Sequence, residues 1–407
     1  MSRLSGWSRV LTAPAVQLSA RMLLATRLPV LIIGCVATLA IGLAPTAGRQ
    51  VSPDPFRNLP ARWDATWYME IAHFGYDHPR WRSGEQQPIV FFPLYPLLMR
   101  TVAAVTTPDR PEAMAYDEFM EMRQVHLVWA GVLISLAAFA GALIVLYRWA
   151  ERHGGPEAAR STVVLLSAYP FAVFFSAPYT ESVFLLLVVG ACYAFETGRL
   201  SIAAALALLA GLTRPNGVML SVLLGVLALR ELRESEPGAL GRALRRLSVA
   251  AMPVVGLLAY SAYMNAVTGD PFAWMEAQAA WGRDRALTME HYGWIGRTIR
   301  EDGILPYVRA LPVEALQVVA VLFAFALVLP VWRRVGPAYA LFVLANLLPP
   351  LAQGGFLSMG RFTSTLFPLF LALALILPAE RRTNWAVGFA LGQGLVAAMF
   401  FTWRPIY

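Results

Sequence analysis

The sequence predicts an all-α fold, a polytopic bundle of transmembrane helices, and three observations carry that prediction. Of its 407 residues 58% are hydrophobic and only 14% charged, whereas soluble domains are about half apolar and about a quarter charged. Apolar runs of about 17–25 residues recur along the chain, the length that crosses a bilayer core, and the short alternating strands of a β-barrel are lacking. The charges collect between the runs. All 33 basic residues are arginine, and they crowd alternate connections, as cytoplasmic loops do. The net charge of +8 follows from this pattern and calls for no nucleic-acid partner. Cys35 and Cys192 lie in apolar runs and read as small core residues, with no disulfide or metal-ligand spacing around them.

Taken in order, residues 1–27 carry Arg3, Arg9, Arg21 and Arg27 without an acid, and the apolar run 28–46 follows. It reads as a retained first helix with a cytoplasmic N-terminus, too long for a signal-peptide core. Residues 47–89 form a first exported loop. Residues 90–106 are apolar but broken by Pro93 and Pro96. A full crossing there would put the acidic loop 107–123 inside and the arginines that follow the span 124–147 outside, so a re-entrant or interfacial segment is expected. Arg148, Arg152 and Arg160 mark an inner turn. Spans 161–178 and 180–197 are joined by the turn Ser176-Ala177-Pro178-Tyr179-Thr180-Glu181. Residues 199–230 read as two short helices hinged at Thr213-Arg214-Pro215-Asn216-Gly217 near the outer face. Five arginines, Arg230, Arg233, Arg242, Arg245 and Arg246, make an inner loop before span 247–267. The second long loop, 268–310, is rich in aromatics: Phe272, Trp274, Trp281, Tyr292, Trp294 and Tyr307. Spans 311–332, 337–353, 362–378 and 384–402 complete about eleven membrane segments and leave the C-terminus outside. The whole of 1–407 reads as one integral-membrane domain with two long extracytoplasmic loops.

The chemistry concentrates in residues 61–96. Asp64 lies between Trp63 and Trp67, and Trp67, Ile71 and Phe74 fall at i, i+4 and i+7, one face of a helix that starts at Asp64, lies on the membrane and ends at Gly75. Two readings stand for Asp64. It is a helix N-cap beside an aromatic belt, or a general base with rings that stack on a sugar or shape a lipid groove. Glu181 has the same duality, a helix-start acid or a functional intramembrane charge. Arg214 and Arg361 are isolated cations in apolar surroundings, either snorkelling to the interface or binding a phosphate through the guanidinium fork. His73 and His78 make a metal pair with no third ligand at suitable spacing. A P-loop, a dinucleotide fingerprint and an Asp-x-Asp pair are all missing from the sequence.

Three blocks of the first loop, Arg62-Trp63-Asp64-Ala65, Ile71-Ala72-His73-Phe74-Gly75-Tyr76 and Phe91-Phe92-Pro93-Leu94-Tyr95-Pro96, resemble the signature of the PIG-V mannosyltransferases. These are glycosyltransferases of the GT-C class that add the second mannose in GPI-anchor assembly. Tyr169-Pro170 with Tyr179-Thr180-Glu181-Ser182, Thr213-Arg214-Pro215-Asn216-Gly217 and Gly360-Arg361-Phe362 follow in the same order, so the likeness covers most of the chain. It implies a GT-C-like bundle and inverting transfer, on the extracytoplasmic side, from a polyprenyl-phosphate sugar, most simply mannose. Asp64 takes the role of base, and Glu181 that of a second acid near it. The other side chains expected to meet substrate are Arg62, Trp63, Trp67, His73, Tyr76 and Phe92 from the first loop, then Tyr179, Arg214, Asn216 and Arg361.

The chain is shorter than the eukaryotic members and lacks their long later insertions, which points to a cell-envelope glycan or glycolipid as acceptor. The expected partners are therefore a lipid-linked sugar donor, that acceptor and membrane lipids, in the plasma membrane, and no cofactor is called for. The rival from another class is a transporter or lipid flippase, for which 90–106 and 199–230 are the broken helices. No duplicated halves accompany them. Convergence of Asp64, Glu181, Arg214 and Arg361 on one outward cavity separates the two readings.

Overall fold

The computed structural model describes residues 13–45, 47–76, 85–108, 113–230 and 238–406. Among these the regular structure is helical. The first helix, α1, spans Pro14–Ala40 rather than 28–46. Its early start is possible because Pro14 sits at the first helical position, where no N–H is needed, and because Arg27 is buried instead of marking the membrane edge. The Arg27 guanidinium donates to the carbonyls of Ala172 and Ser167 and to Ser176 Oγ and Gln393 Oε1. These acceptors stand in for the water that a cation would otherwise lose. Of the arginines placed before this helix and in the 230–246 loop, Arg3, Arg9 and Arg233 lie outside the described residues.

The first loop holds α2, Ala65–Phe74, which begins after Asp64 and stops at Gly75 with φ +79°, as its spacing predicts. Arg100 closes its C-terminus by donating to the Ala72 and Ile71 carbonyls, where the helix dipole favours a cation. Its face is less uniform than expected, since Ile71 is buried and Phe74 is exposed. Next comes α3, Leu94–Thr106, of 13 residues. At about 20 Å it is too short to cross a bilayer core of about 30 Å. The long α4, Tyr116–Ala168, is two helices meeting at Gly155, whose φ of +79° and ψ of 174° lie outside the helical region.

The expected span 161–178 ends early. The helix stops at Ala168, Pro170 starts the 3-10 turn Pro170–Ser176, and the chain bends by 98° into α5, Glu181–Glu196. Helix α5 is buried all round, as a central helix should be. It packs on α4 and on α6, Leu200–Gly211. The predicted hinge in 199–230 is present: a break at 212–214 and the turn Pro215–Met219 separate α6 from α7, Leu220–Leu229. Helix α8, Ala239–Ala250, leads to α9, Met252–Thr268. Here α9 presses on α6 so closely that a Cβ at Gly211 or Gly256 would run into the other helix's backbone, the small-residue contact that replaces hydrophobic drive in lipid.

The second long loop is itself helical, with α10, Arg285–Asp302, and α11, Ile304–Ala310. Then follow α12, Pro312–Arg334, α13, Pro337–Gly354, the single turn α14, Met359–Ser364, α15, Phe367–Ile376, and α16, Ala379–Phe401. Among the described residues five stretches are long and apolar enough to cross a membrane, or 6 with the bent pair, and Leu94–Thr106, Leu200–Gly211, Pro215–Leu229 and Phe367–Ile376 are shorter apolar helices. The expected count of about eleven segments therefore rests in part on the shorter helices. The 161–178 run, which looked continuous, is interrupted at Pro170.

Direction along α5–α7 places the site. The chain descends α5 from Glu181 to Glu196, climbs α6 to Arg214 and descends again to Arg230. The ion pair of Arg214 with Glu181 at 2.7 Å shows that the two starting ends meet. At the opposite end, about 22 Å along α5, Glu196 accepts from Tyr339 Oη, pairs with His153 Nε2 at 3.1 Å, and Tyr339 in turn accepts from Trp149 Nε1.

Candidate active site

Asp64 enters the site on an unusual backbone. The preceding Trp63 has φ +53°, a left-handed conformation that costs a non-glycine residue of order 1 kcal/mol or more. Its neighbours hold it there. Arg62 is fully buried and donates to the carbonyls of Asn58, Ala61 and Phe401. The Tyr179 hydroxyl bridges the strained step, donating to the Arg62 carbonyl at 3.0 Å and accepting from the Asp64 N–H at 3.1 Å. The Trp63 ring lies 4.8 Å from that of Trp403, another residue with positive φ.

The Asp64 side chain does not cap α2. Its Oδ2 instead accepts from Arg361 Nη1 at 2.5 Å, so the N-cap alternative gives way to an ion pair across the fold. Arg361 also donates through Nε to Glu181 Oε1 at 2.9 Å. The same oxygen accepts from Arg214 Nη1. Asp64, Glu181, Arg214 and Arg361 therefore form one connected cluster. Arg361 is further held over the rings of Tyr179 and Phe174, at 4.7 and 5.2 Å, in cation–π geometry. Gly360 matters for packing: a Cβ there would collide with the Phe171 ring, and its N–H donates to Gln317 Oε1 at 2.6 Å.

The two carboxylates differ in access. The Glu181 side chain is 0% exposed and that of Asp64 is 22% exposed. Glu181 Oε2 is buried without a hydrogen-bond partner among the described residues. Burial disfavours an ionised carboxylate, and two guanidiniums on one oxygen offset it.

The other expected residues divide into groups. Trp67 lies in an aromatic wall with Phe91 and Trp281, at 6.1 and 5.1 Å. Asn216 Nδ2 donates to Asn346 Oδ1 at 2.9 Å, tying the α6–α7 hinge to α13. Tyr76 donates to the Phe91 carbonyl, and Phe92 is buried against Tyr260 and Trp274. Those two, with Arg62, brace the loop rather than join the charged cluster. His73 is half-buried against Phe74, and burial together with Arg123, Arg100 and Arg49 holds its imidazole below the usual 6.5. Its proposed metal partner His78 lies outside the described residues. Among the described residues no group of three His, Cys, Asp or Glu side chains is placed to hold a metal. Two surface recesses lie apart from the cluster: one of about 290 Å³ includes Arg152, His153, Glu196 and Arg246, and one of about 350 Å³ includes Ser52, Asp117 and Glu121.

Sequence reasoning missed Arg283. It follows Trp281 and Gly282 in the second loop, with its guanidinium carbon 5.4 Å from the centre of the Phe362 ring, on which Arg214 also sits at 5.0 Å. Burial, then the Arg361 and Arg214 guanidiniums, push its pKa down to about 10 against the pull of Asp64. Its only signal in the sequence is its place in an aromatic-rich exported loop.

Comparison with known proteins bears on the first half of the chain. Residues 43–234 match the family model described as mannosyltransferase (PIG-V). GPI mannosyltransferase 2 from two strains of Cryptococcus neoformans var. neoformans serotype D is 28% identical over 164 residues, which is 40% of this chain and 35% of that protein. The chain thus matches about a third of the length of these curated relatives. Among solved structures, the Archaeoglobus fulgidus oligosaccharyltransferase in complex with zinc and sulfate superimposes with a TM-score of 0.42 at 13% identity, over 92% of this chain and 53% of that one. The same organism's AglB, in complex with an inhibitory peptide and a dolichol-phosphate, gives 0.44 at 14%, over 92% and 56%. At these scores the likeness bears on neither fold nor function. Asp64, Glu181 and Arg214 all fall inside the matched segment and Arg361 beyond it, and the chain is PIG-V-like over residues 43–234.

Proposed function

We propose that the protein is an integral-membrane mannosyltransferase that moves mannose from a polyprenyl-phosphate donor to a glycolipid or cell-envelope glycan, with inversion at the sugar carbon. The observation that carries this is the convergence of Asp64, Glu181, Arg214 and Arg361 from four separate parts of the chain. In the proposed reaction Asp64 takes the proton of the acceptor hydroxyl, the hydroxyl oxygen attacks the sugar C1, and the C1–O bond to phosphate breaks, leaving the lipid phosphate. Asp64 is the base because it is the carboxylate with access. Glu181, sealed between two arginines, acts as a positioning residue that aims them. Preorganised guanidiniums stabilise charge that grows on the leaving group. The base contributes about 10²- to 10⁴-fold.

The proposed face is extracytoplasmic. Its support is the direction of α5–α7. The cluster sits at one end, and Arg199 and Arg230 border the other, where an arginine-rich rim belongs on the cytoplasmic side. The plasma membrane and the single-domain organisation of 1–407 belong to the same proposal. A flippase would share the 98° break between Pro170–Ser176 and α5 and can also hold paired charges within the membrane, so the transfer assay separates the two.

The test is transfer of labelled mannose from synthetic polyprenyl-phosphate mannose by purified wild type and Asp64→Asn. Loss of at least about a hundredfold in the variant is expected. A folded Asp64→Asn protein that transfers at the wild-type rate refutes the assignment.

A further inference from the structure

The cluster holds more cation than anion. Arg361 is committed to Asp64 and Glu181, and Arg214 to Glu181. Arg283 is packed beside them, yet no hydrogen bond or ion pair joins its guanidinium to another described residue. The nearest acid in sequence, Asp284, is occupied: its Oδ1 accepts from the Leu287 N–H at 3.0 Å and caps α10. The stem of Arg283 is set tightly, since a Cβ on Gly354 would come within 3.1 Å of its Nη1 and 3.2 Å of its Cγ. Two residues earlier, Trp281 Nε1 is buried without a hydrogen-bond partner among the described residues. A partly buried guanidinium with no protein acceptor among the described residues is open to an anion, and its planar fork matches a phosphate through two parallel N–H bonds.

We infer that Arg283 is the ligand for a phosphate oxyanion at this site, the phosphate of the lipid-linked donor. Arg214 and Arg361, the two arginines singled out in the sequence for that task, already donate bonds to the carboxylates, so they add charge beside the phosphate while Arg283 has its fork open to it. The second loop thus delivers the anion contact while the first delivers Asp64. The lowered pKa of Arg283 agrees with a cation crowded by like charges and awaiting an anion. Trp67, Phe91 and Trp281, in mutual edge and face contact at 5.1–6.1 Å, give the hydrocarbon of such a donor an apolar wall next to the charge. The donor's identity rests on the transfer reading above, whereas the anion site does not.

The test is binding of farnesyl phosphate, farnesol and inorganic phosphate to the full chain in nanodiscs, for wild type, Arg283→Gln and Arg283→Lys. Loss of one charge-assisted bidentate contact is worth about ten- to a hundredfold in affinity. Arg283→Gln should weaken farnesyl phosphate by that factor and leave farnesol unchanged. Arg283→Lys, which keeps charge and stem length but not the fork, should fall between and unfold at the wild-type midpoint. Equal farnesyl phosphate affinity in all three proteins overturns the assignment, as does a wild type that binds neither phosphate. Arg283-dependent binding of inorganic phosphate alone keeps the anion site and removes the lipid donor as its source. Binding of farnesyl phosphate through Arg283 without transfer of mannose to membrane-extracted acceptors leaves this assignment standing whatever becomes of the transfer reading.

Discussion

Replacing Glu181 with Gln tests how the charged cluster is built. Glu181 Oε1 accepts two charge-assisted bonds, from Arg214 Nη1 at 2.7 Å and Arg361 Nε at 2.9 Å. The amide of the Glu181→Gln variant keeps an oxygen that both guanidiniums reach, so each bond drops to neutral strength, a loss of about 1 kcal/mol apiece. The amide nitrogen takes the place of Oε2, which is already buried without a partner, and adds little. Two buried guanidiniums are then left with only Asp64 as counter-ion, which brings the total to about 2–3 kcal/mol, below the roughly 3–5 kcal/mol for outright removal of one partner of a buried pair. Reversible unfolding in mixed micelles should show the folding equilibrium constant falling by roughly 30- to 150-fold. Because Arg361 also binds Asp64, a double-mutant cycle with Asp64→Asn should be non-additive, with a coupling of about 0.5–3 kcal/mol. A Glu181→Gln protein with the wild-type midpoint, or strict additivity in the cycle, refutes the shared-arginine account.

Tyr179→Phe removes the hydroxyl that spans the Arg62 carbonyl and the Asp64 N–H, at a cost of about 1–2 kcal/mol; mannose transfer should drop about tenfold with KM little changed, and an unaltered kcat counts against the role of this bridge. Gly360→Ala drives a methyl into the Phe171 ring, and overpacking of this kind costs about 1–3 kcal/mol; transfer should fall more than stability, because the displaced residue is next to Arg361, and equal losses argue for a purely structural effect. His73 is held below its usual 6.5 by burial and by Arg123, Arg100 and Arg49. A depressed folded value means that its contribution is present above pH 6.5 and is lost as pH falls through the folded value. His73→Gln should therefore flatten the stability profile on the acid side of 6.5, and an unchanged profile excludes His73 as its source.

What was legible in the sequence is what local rules control. Helix α2 starts and stops where Asp64 and Gly75 place it, and the hinge at Arg214-Pro215 is a proline doing what proline does after an extended residue. Residue type also pointed correctly to the four charges that meet, since an ionisable group in an apolar run must find a partner. What was not legible is who partners whom. Arg62 belongs to the most specific motif of the chain, yet its guanidinium serves backbone carbonyls. Arg27 looked like a membrane-edge charge and instead serves the carbonyls at the broken helix after α4. Arg283 carries no motif, and its position beside Phe362 depends on a loop whose path no periodicity encodes.

The Asp64–Arg361 contact spans 297 positions in the chain, whereas Glu181 finds Arg214 after only 33. At about 5–20 residues per second, Glu181 waits a few seconds for its first arginine during synthesis, but Asp64 waits roughly 15–60 seconds for its own. An ionised carboxylate cannot be sealed into an apolar bundle for that long without a counter-charge. The wall formed by α12–α16 must therefore close last, and Arg361 is the residue that closes it. Nascent chains stopped before residue 361 should hold the Glu181–Arg214 pair in place with Asp64 still in contact with water.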